Sequence, residues 1–444
     1  MISQEPIVKV GVVEHAAEVH GSLQGRFAVA NVIGLKGEFA VRSERGTMIF
    51  TNADGQRILS EDEILCQPLD QGRFVLKGVT IGIGFHWEQK EDETFEGRLR
   101  LVAQDGRTVS VVNEINLESY LKSVISSEMS AESPLELLRA HAIVSRSWLA
   151  ALMSRKNNTT AGTTHSQSTI ESESELIRLY GHEDHATFDV CADDHCQRYQ
   201  GVSKIISTSA AEAVESTRGV FLVSNEKICD TRYSKSCGGL TENFENVWHD
   251  EKVPYLVSIA DSATNHKPIR SERDAERWVS SSPEAYCNTS DENILRQVLP
   301  SFDQETKDFF RWNVVYSREE LEELIKSKSG MDFGTLNDLV PVSRGPSGRI
   351  FKLKIVGSAR TLTVGKELEI RKWLSKSHLY SSAFTVRIER DAKGVAQKFI
   401  LTGAGWGHGV GFCQIGAAVM ASRGIKAEDI LKHYFTGAEL SKLY

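Results

Sequence analysis

The sequence predicts an α+β protein, mixed and multi-lobed, in which a helical segment packs on antiparallel sheets. Three observations predict it. Short β-prone runs fill residues 7–112 between glycine or polar turns. Two helices with start and stop signals follow, from Asn116 to Met153. Strand-like and helix-like stretches then recur to Tyr444 without the regular βαβ alternation of a doubly wound sheet.

The elements divide 444 residues into four expected segments. Residues 1–95 form a β-rich region, with strands expected at Val8–Val13, Phe27–Ile33 and Gly37–Val41. Residues 96–262 open with a strand at Arg98–Val102 and hold the two helices. Behind these come a Ser/Thr/Asn-rich loop at Ser154–Ser174 and strands at Val202–Thr208 and Gly219–Val223. Residues 263–345 read as a polar, helix-rich insertion with an amphipathic helix at Arg318–Lys328. Residues 346–444 return to strands at Arg349–Gly357, Phe384–Arg390 and Lys398–Thr402. They end in a glycine-rich motif and a helix at Gln414–Ser422 closed by Gly424.

Composition narrows the function. With 40% apolar and 25% charged residues and only 9 prolines, the chain has the make-up of an ordinary soluble globular protein. A net charge of -8 and the absence of a lysine/arginine block argue against nucleic acid as the main partner. No run reaches the length of a transmembrane helix, and Met1–Ala30 lacks the basic and apolar regions of a signal peptide. On that basis the cytoplasm is a candidate compartment. Seven cysteines scattered from Cys66 to Cys413 are not the disulfide framework of a small secreted domain.

The helix pair carries the first chemical signal. Asn116 is placed to cap the first helix, with Glu118 in its first turn to complement the dipole. Leu117, Tyr120, Leu121, Val124 and Ile125 recur at helical spacing, and the next place on that stripe is Glu128. Burial favours the protonated form of a carboxyl group, which is what a general acid needs. Ser133-Pro134-Leu135-Glu136 reads as a capping box with proline at the first helical position. The second stripe runs Leu135, Leu138, Ala142, Leu149 and Leu152, with Arg146 inside it. Glu128 and Arg146 are thus inward charges on consecutive helices, open to a structural ion pair or a snorkelling arginine as well as to catalysis.

Two further clusters carry donors. His182, His185, Cys191, His195 and Cys196 offer imidazoles and thiolates suited to zinc, though not at zinc-finger spacing. Three protein ligands with an open fourth place fit, and so does a reduced cysteine pair beside surface histidines. From Gly403 to Gly411 every second residue is glycine, which strips side chains from one face of an extended segment. Another backbone or a flat ligand could then approach. Trp406 offers a stacking surface for a sugar ring and His408 a hydrogen-bonding group, although a histidine in a glycine-rich turn is commonly structural.

Taken together these motifs resemble the SpoIID/LytB family (stage II sporulation protein D and the amidase enhancer). The likeness runs from Val112-Asn113 through Leu117-Glu118-Ser119-Tyr120-Leu121 to Glu128-Met129, then through Pro134-Leu135-Glu136 and the step from Ala142 to Arg146. It continues in Phe188-Asp189-Val190-Cys191, Cys196-Gln197 and Tyr199, and in Gly405 to Ala417. It covers about residue 95 to the C-terminus. The resemblance implies a bacterial, sporulation-related lytic transglycosylase that cleaves peptidoglycan glycan strands in a substrate cleft, outside the cytoplasmic membrane. It implies Glu128 as the acid/base and Arg146 in the same cleft; because an arginine paired with Glu128 would hold that carboxylate ionised, Arg146 is read as a clamp on the substrate. Tyr120, Trp406, His408 and Gln414 are the further substrate contacts. One Zn2+ on His185, Cys191 and Cys196 is implied, with His195 as the rival nitrogen ligand. A non-catalytic glycan-binding amidase enhancer, serving a cell-wall amidase, is the alternative. A third reading makes the His/Cys cluster a zinc or thiol centre for amide hydrolysis. One departure is Cys237-Gly238-Gly239-Leu240-Thr241, where the family usually has serine first; a disulfide to Cys229 is then conceivable.

Overall fold

The structure is a computed structural model that describes residues 2–83, 88–130, 133–158, 169–180, 185–205, 208–299 and 308–444. Helices and antiparallel-rich sheets give it an α+β fold of two compact units. The first is Met1–Met153, Glu183–Phe221 and Ser441–Tyr444; the second is Ser154–His182 and Leu222–Leu440.

The first unit begins with ten strands: β1 (Ile7–Ala16), β2 (Glu18–Val29), β3 (Val32–Glu44), β4 (Thr47–Asn52), β5 (Arg57–Ser60), β6 (Glu63–Pro68), β7 (Arg73–Ile81), β8 (Gln89–Phe95), β9 (Arg98–Gln104) and β10 (Thr108–Asn116). Their order is β1-β10-β9-β6-β2-β3-β4-β5, with β7 joining β2 to β8. The pairs among these ten strands are antiparallel, and tight turns join β2 to β3, β3 to β4, β4 to β5 and β9 to β10. At Arg45-Gly46 both central residues have positive φ, 51° and 86°, so the turn twists with the strands it joins. The expected strand Phe27–Ile33 is instead the end of β2 and the start of β3, because Ala30 (φ 50°) reverses the chain within an apolar run. Val202–Lys204 is a turn rather than the expected strand. The boundary expected at residue 95 falls between β8 and β9 of one sheet, so the β-rich region and the helix pair share a unit.

Strand β10 lies between β1 and β9 and is buried at seven of its nine positions. It runs straight into α1 (Leu117–Glu128), followed by α2 (Leu135–Asn158). The first bonds of α2 go to the Pro134 carbonyl, so the helix starts one residue later than the capping pattern implies. From Ala140 to Leu152 α2 is buried on every side, as a central helix should be. The short strand Val190–Cys191 adds in parallel to β1, pairing Gly11 with Cys191. A Cβ on Gly11 would lie 2.4 Å from the Phe188 ring, so this glycine admits the cysteine-bearing segment to the sheet edge.

The second unit contains a five-stranded sheet, in the order Thr169–Glu171, Glu175–Arg178, Thr361–Gly365, Ile350–Gly357 and Leu336–Arg344. It also contains an antiparallel sheet of Arg311–Ser317, Ala396–Ala404 and Phe384–Arg390. One apolar core including Trp312, Leu353, Trp373 and Phe399 joins these elements. The predicted amphipathic helix is present as Arg318–Ser329, with a complete Ser317/Glu320 capping box and left-handed Gly330 as its C-cap. The helix Gln414–Ser422 is present with the expected bounds. Of the expected loop Ser154–Ser174, residues 154–158 complete α2, 169–171 form a strand and 172–174 bend between strands; residues 159–168 lie outside the described residues.

Candidate active site and metal centre

The stripe on α1 is buried as its spacing requires: Leu117, Tyr120, Leu121, Val124 and Ile125 are fully covered. Asn116 stands at the N-cap, without a side-chain capping bond. Glu128 is the last residue of the helix and is 8% exposed. One of its carboxylate oxygens accepts the backbone N–H of Arg198 at 3.1 Å.

Arg198 belongs to a segment strapped along α1. The Tyr120 hydroxyl donates to Gln197 at 3.2 Å, and the Gln197 amide donates to the Ser145 carbonyl on α2 at 3.4 Å. The Gln200 N–H donates to Ser123 at 3.1 Å, and the Tyr199 hydroxyl donates to Asn113 on β10 at 2.5 Å. The Arg198 side chain reaches the Ser127 carbonyl at 3.4 Å and pairs with Asp194 at 2.5 Å. The helix pair, β10 and the strap therefore hold Glu128 together.

The strap begins at the His/Cys cluster. The donor atoms of His185, Cys191, His195 and Cys196 all lie within 4.8 Å of one another. Cys196 Sγ is 3.4 Å from His185 Nε2 and 3.5 Å from His195 Nδ1, and Cys191 Sγ is 3.9 Å from His195 Nδ1. Tetrahedral zinc, with Zn–S near 2.3 Å and Zn–N near 2.0–2.1 Å, separates its ligands by about 3.3–3.8 Å. The donor set fits that ion. Hydrogen bonding from Cys196, then from His185 and His195, draws the Cys191 thiol down to about 2 against the opposing effect of burial. His195 converges with His185 instead of competing with it, which makes four protein donors where three and an open place were expected. His182 lies outside the described residues.

Arg146 is fully buried and does not face Glu128. Its Nε and Nη2 donate to the two oxygens of Glu118 at 3.0 and 2.7 Å. The remaining donors go to Thr217 and to the carbonyls of Val214 and Val220. Every N–H of the guanidinium is engaged, which corrects the expected substrate clamp: Arg146 ties α1 and α2 to the segment 214–220. Burial alone would raise the Glu118 carboxyl, but Arg146, the Tyr444 hydroxyl and the Gly219 N–H hold it below its ordinary value. Tyr120 is also corrected. It is fully buried, stacked on Tyr199 at 5.1 Å, and it braces the strap from inside.

Trp406, His408 and Gln414 belong to the second unit. Trp406 is half-buried against Phe309 and Tyr380, with ring centroids 4.7 and 4.5 Å away. The Nδ1 of His408 accepts the Val410 N–H at 3.0 Å, and its ring meets Trp248 edge-on at 4.7 Å. Burial, then the guanidinium groups of Arg232 and Arg349, pushes this imidazole well below its usual value. Gln414 is 2% exposed at the start of its helix, so it is a buried residue and not the expected substrate contact. Gly405, Gly407, Gly409 and Gly411 all have positive φ, between 72° and 95°. Gly403 still belongs to the strand Ala396–Ala404, but beyond it left-handed glycines alternate with the bridge residues Trp406 and Val410, so the segment is not one extended strand. What approaches is the protein itself: added Cβ atoms would lie 2.2 Å from Arg349 at Gly409 and 2.4 Å from the Arg232 carbonyl at Gly411. Cys229 and Cys237 are both free thiols, so the conceivable disulfide is not formed.

Glu93 escaped the sequence reading. It is 1% exposed on β8, and neither carboxyl oxygen has a hydrogen-bond partner. With Cys191, Asp193, Arg198 and Tyr199 it lines a cavity of about 210 Å³. Burial, with Glu91 adding, pushes its pKa up to about 8. The available signal was parity: Glu93 shares the inward face of β8 with Phe95.

Residues 105–223 match the family described as Stage II sporulation protein (SpoIID), and residues 242–411 match a domain of unknown function (DUF8618). The chain is 28% identical over 334 residues to an uncharacterised protein of Brachyspira hyodysenteriae, covering 75% of this chain and 68% of that one. It is 26% identical over 338 residues to the stage II sporulation protein D of Bacillus amyloliquefaciens, covering 74% and 76%. To the amidase enhancer of Bacillus subtilis it is 24% identical over 332 residues, covering 72% of this chain but 40% of that protein.

Proposed function

We propose that this chain, a member of the SpoIID/LytB family, is a peptidoglycan lytic transglycosylase that uses Glu128 as its single acid/base. The observation that carries this reading is the setting of Glu128: a nearly buried carboxyl at the end of α1, fixed by the Arg198 N–H. Hydrolytic glycosidases need two carboxyl groups because water must be activated as well as the leaving group protonated. A lytic reaction needs one. Protonated Glu128 donates to the glycosidic oxygen between N-acetylmuramic acid and N-acetylglucosamine as the bond to the anomeric carbon breaks. The C6 hydroxyl of the muramic residue then attacks that carbon and gives its proton to the carboxylate. Glu128 returns to its starting state, no water is consumed, and the glycan ends in 1,6-anhydro-N-acetylmuramic acid.

His185, Cys191, His195 and Cys196 would hold the Zn2+. Four protein donors make a closed site, whose contribution is rigidity rather than an open coordination place. This arrangement disfavours the amide-hydrolysis reading. The expected site of action is the cell wall, on glycan strands freed of stem peptides. Among the described residues no helix is long and apolar enough to cross a membrane.

The test is mass spectrometry of digests of intact and denuded sacculi. Wild type should release anhydro-muropeptide ends from denuded glycan. Glu128→Gln should lower that release about 10²- to 10⁴-fold while still binding the strands. Unchanged release by the variant would sink the assignment. Binding without cleavage by wild type would favour an amidase enhancer, the activity in the name of one relative.

A further inference from the structure

Three thiols and a carboxyl meet in the interior of the second unit. Cys237, Asp261, Cys287 and Cys413 are all buried, and one donor atom from each lies within 4.8 Å of the others. They arrive from four places in the sequence. Cys237 opens a turn through Gly238 and Gly239, both with positive φ. Asp261 follows the bridge between Leu240 and Ala260. Cys287 lies in a turn beyond the helix Glu272–Val279, and Cys413 is the N-cap of the helix Gln414–Ser422.

We propose that these four side chains form a second zinc site, closed and structural, separate in sequence and composition from the His/Cys cluster. The Sγ atoms of Cys237 and Cys287 are 3.7 Å apart. That is the ligand separation expected for two thiolates on one tetrahedral Zn2+, about 3.8 Å for Zn–S near 2.3 Å, and far longer than the roughly 2.05 Å of a disulfide. The Cys237 N–H donates to Cys413 Sγ at 3.2 Å, the bond that a metal-bound thiolate accepts.

The second layer is also built. One oxygen of Asp261 accepts the Tyr434 hydroxyl at 2.6 Å, and the other accepts the Cys287 N–H at 2.8 Å. These bonds orient a ligating carboxylate as outer partners do at metal sites. Gly416 makes room for them, since a Cβ there would lie 2.4 Å from both Asp261 and the Tyr434 hydroxyl. Three thiolates and a carboxylate around a divalent ion leave two negative charges. Arg311 supplies a compensating cation: it donates to the carbonyls of Gly238, Trp278, Ser281 and Phe310, and interacts electrostatically with Cys287 and Cys237. Soft thiolates select zinc over magnesium or calcium. Cys237 stands where the SpoIID/LytB pattern has serine, so this donor belongs to the chain's own sequence and not to the family pattern.

The experiment counts ions and reads their ligands in the full chain purified under reducing conditions. Mass-spectrometric metal analysis should find about two zinc ions per wild-type chain. The Cys191→Ser/Cys196→Ser variant should keep one, and Cys237→Ser/Cys287→Ser should lose one. X-ray absorption of the first variant should give a shell dominated by sulfur with one lighter ligand and no imidazole scattering. Should either variant fail to fold, absorption by wild type decides: two sites together give more sulfur than nitrogen and oxygen, whereas the His/Cys site alone gives equal numbers. A metal-free Cys191→Ser/Cys196→Ser protein that is folded, or an equal-ligand wild-type spectrum, would each overturn the proposal.

Discussion

The two ends of α1 each carry a buried glutamate, and their surroundings differ in kind. Glu118 in the first turn is 2% exposed, gripped by both arms of Arg146 and bonded to Gly219 and Tyr444. Glu128 in the last turn is 8% exposed and held by a backbone N–H from a strap. Burial is common to both, so burial cannot assign the role. The partner does: a bidentate guanidinium locks a carboxylate in its charged form, whereas a backbone amide positions one.

Glutamine at the two ends should therefore break different things. At position 128 it should remove glycan cleavage by the factor given above and leave thermal unfolding nearly unchanged. At position 118 it leaves the Arg146 charge buried and unpaired, which costs about 3–5 kcal/mol. Glu118→Gln and Arg146→Met should each lower the unfolding midpoint sharply, while the folded fraction keeps its rate on denuded glycan. A large rate loss in folded Arg146→Met protein would restore Arg146 as a substrate contact.

A third buried carboxyl sharpens the comparison through pH. Glu93 has no charged partner bonded to it, and its folded pKa of about 8 lies above the ordinary 4.5. The folded state holds this proton more tightly than the unfolded one. Its contribution is fully present below pH 4.5 and is lost as pH rises towards 8, a decline on the order of a few kcal/mol. Glu118 behaves in the opposite sense, since its depressed pKa gives stability that is lost as pH falls. Denaturant titrations from pH 5 to 9 should show Glu93→Gln flattening the alkaline decline. If the variant follows wild type across that range, the carboxyl is not holding its proton in the folded state.

The contrast also explains how much was legible in the sequence. The stripe ending at Glu128 follows from helical period, and the α+β class follows from turn and strand patterning. The Arg318–Ser329 helix carried both its caps, and the Gln414–Ser422 helix carried the left-handed Gly424 beyond its end. What period cannot give is pairing over distance. Arg146 was visible as an inward charge, but its partner was 28 residues back on another face of α1, and glutamate in a first turn reads as dipole chemistry. The glycine-rich run shows its spacing but not its sign of φ, so the left-handed glycines that interrupt the strand are invisible in the sequence. His185 and His195 could not be ranked because convergence of ligands is a tertiary fact.

The smallest expected effect tests whether the strap transmits the metal site to Glu128. Arg198 follows Cys196 by two residues, and its N–H is what Glu128 accepts. Ion binding at His185, Cys191, His195 and Cys196 would anchor the start of that strap, while Tyr120, Ser123 and Asn113 anchor the rest. Removing this ion alone should therefore loosen one end only. Loss of partners that orient a reacting group typically costs about 10- to 100-fold in activity, less than loss of the acid itself. Cys196→Ser should show a fall of that size on denuded glycan, with hydrogen exchange rising at the amides of residues 196–198 before those of α1. Exchange that rises equally along α1 would mean that the ion supports the whole unit, and the strap would then be a passenger instead of the link.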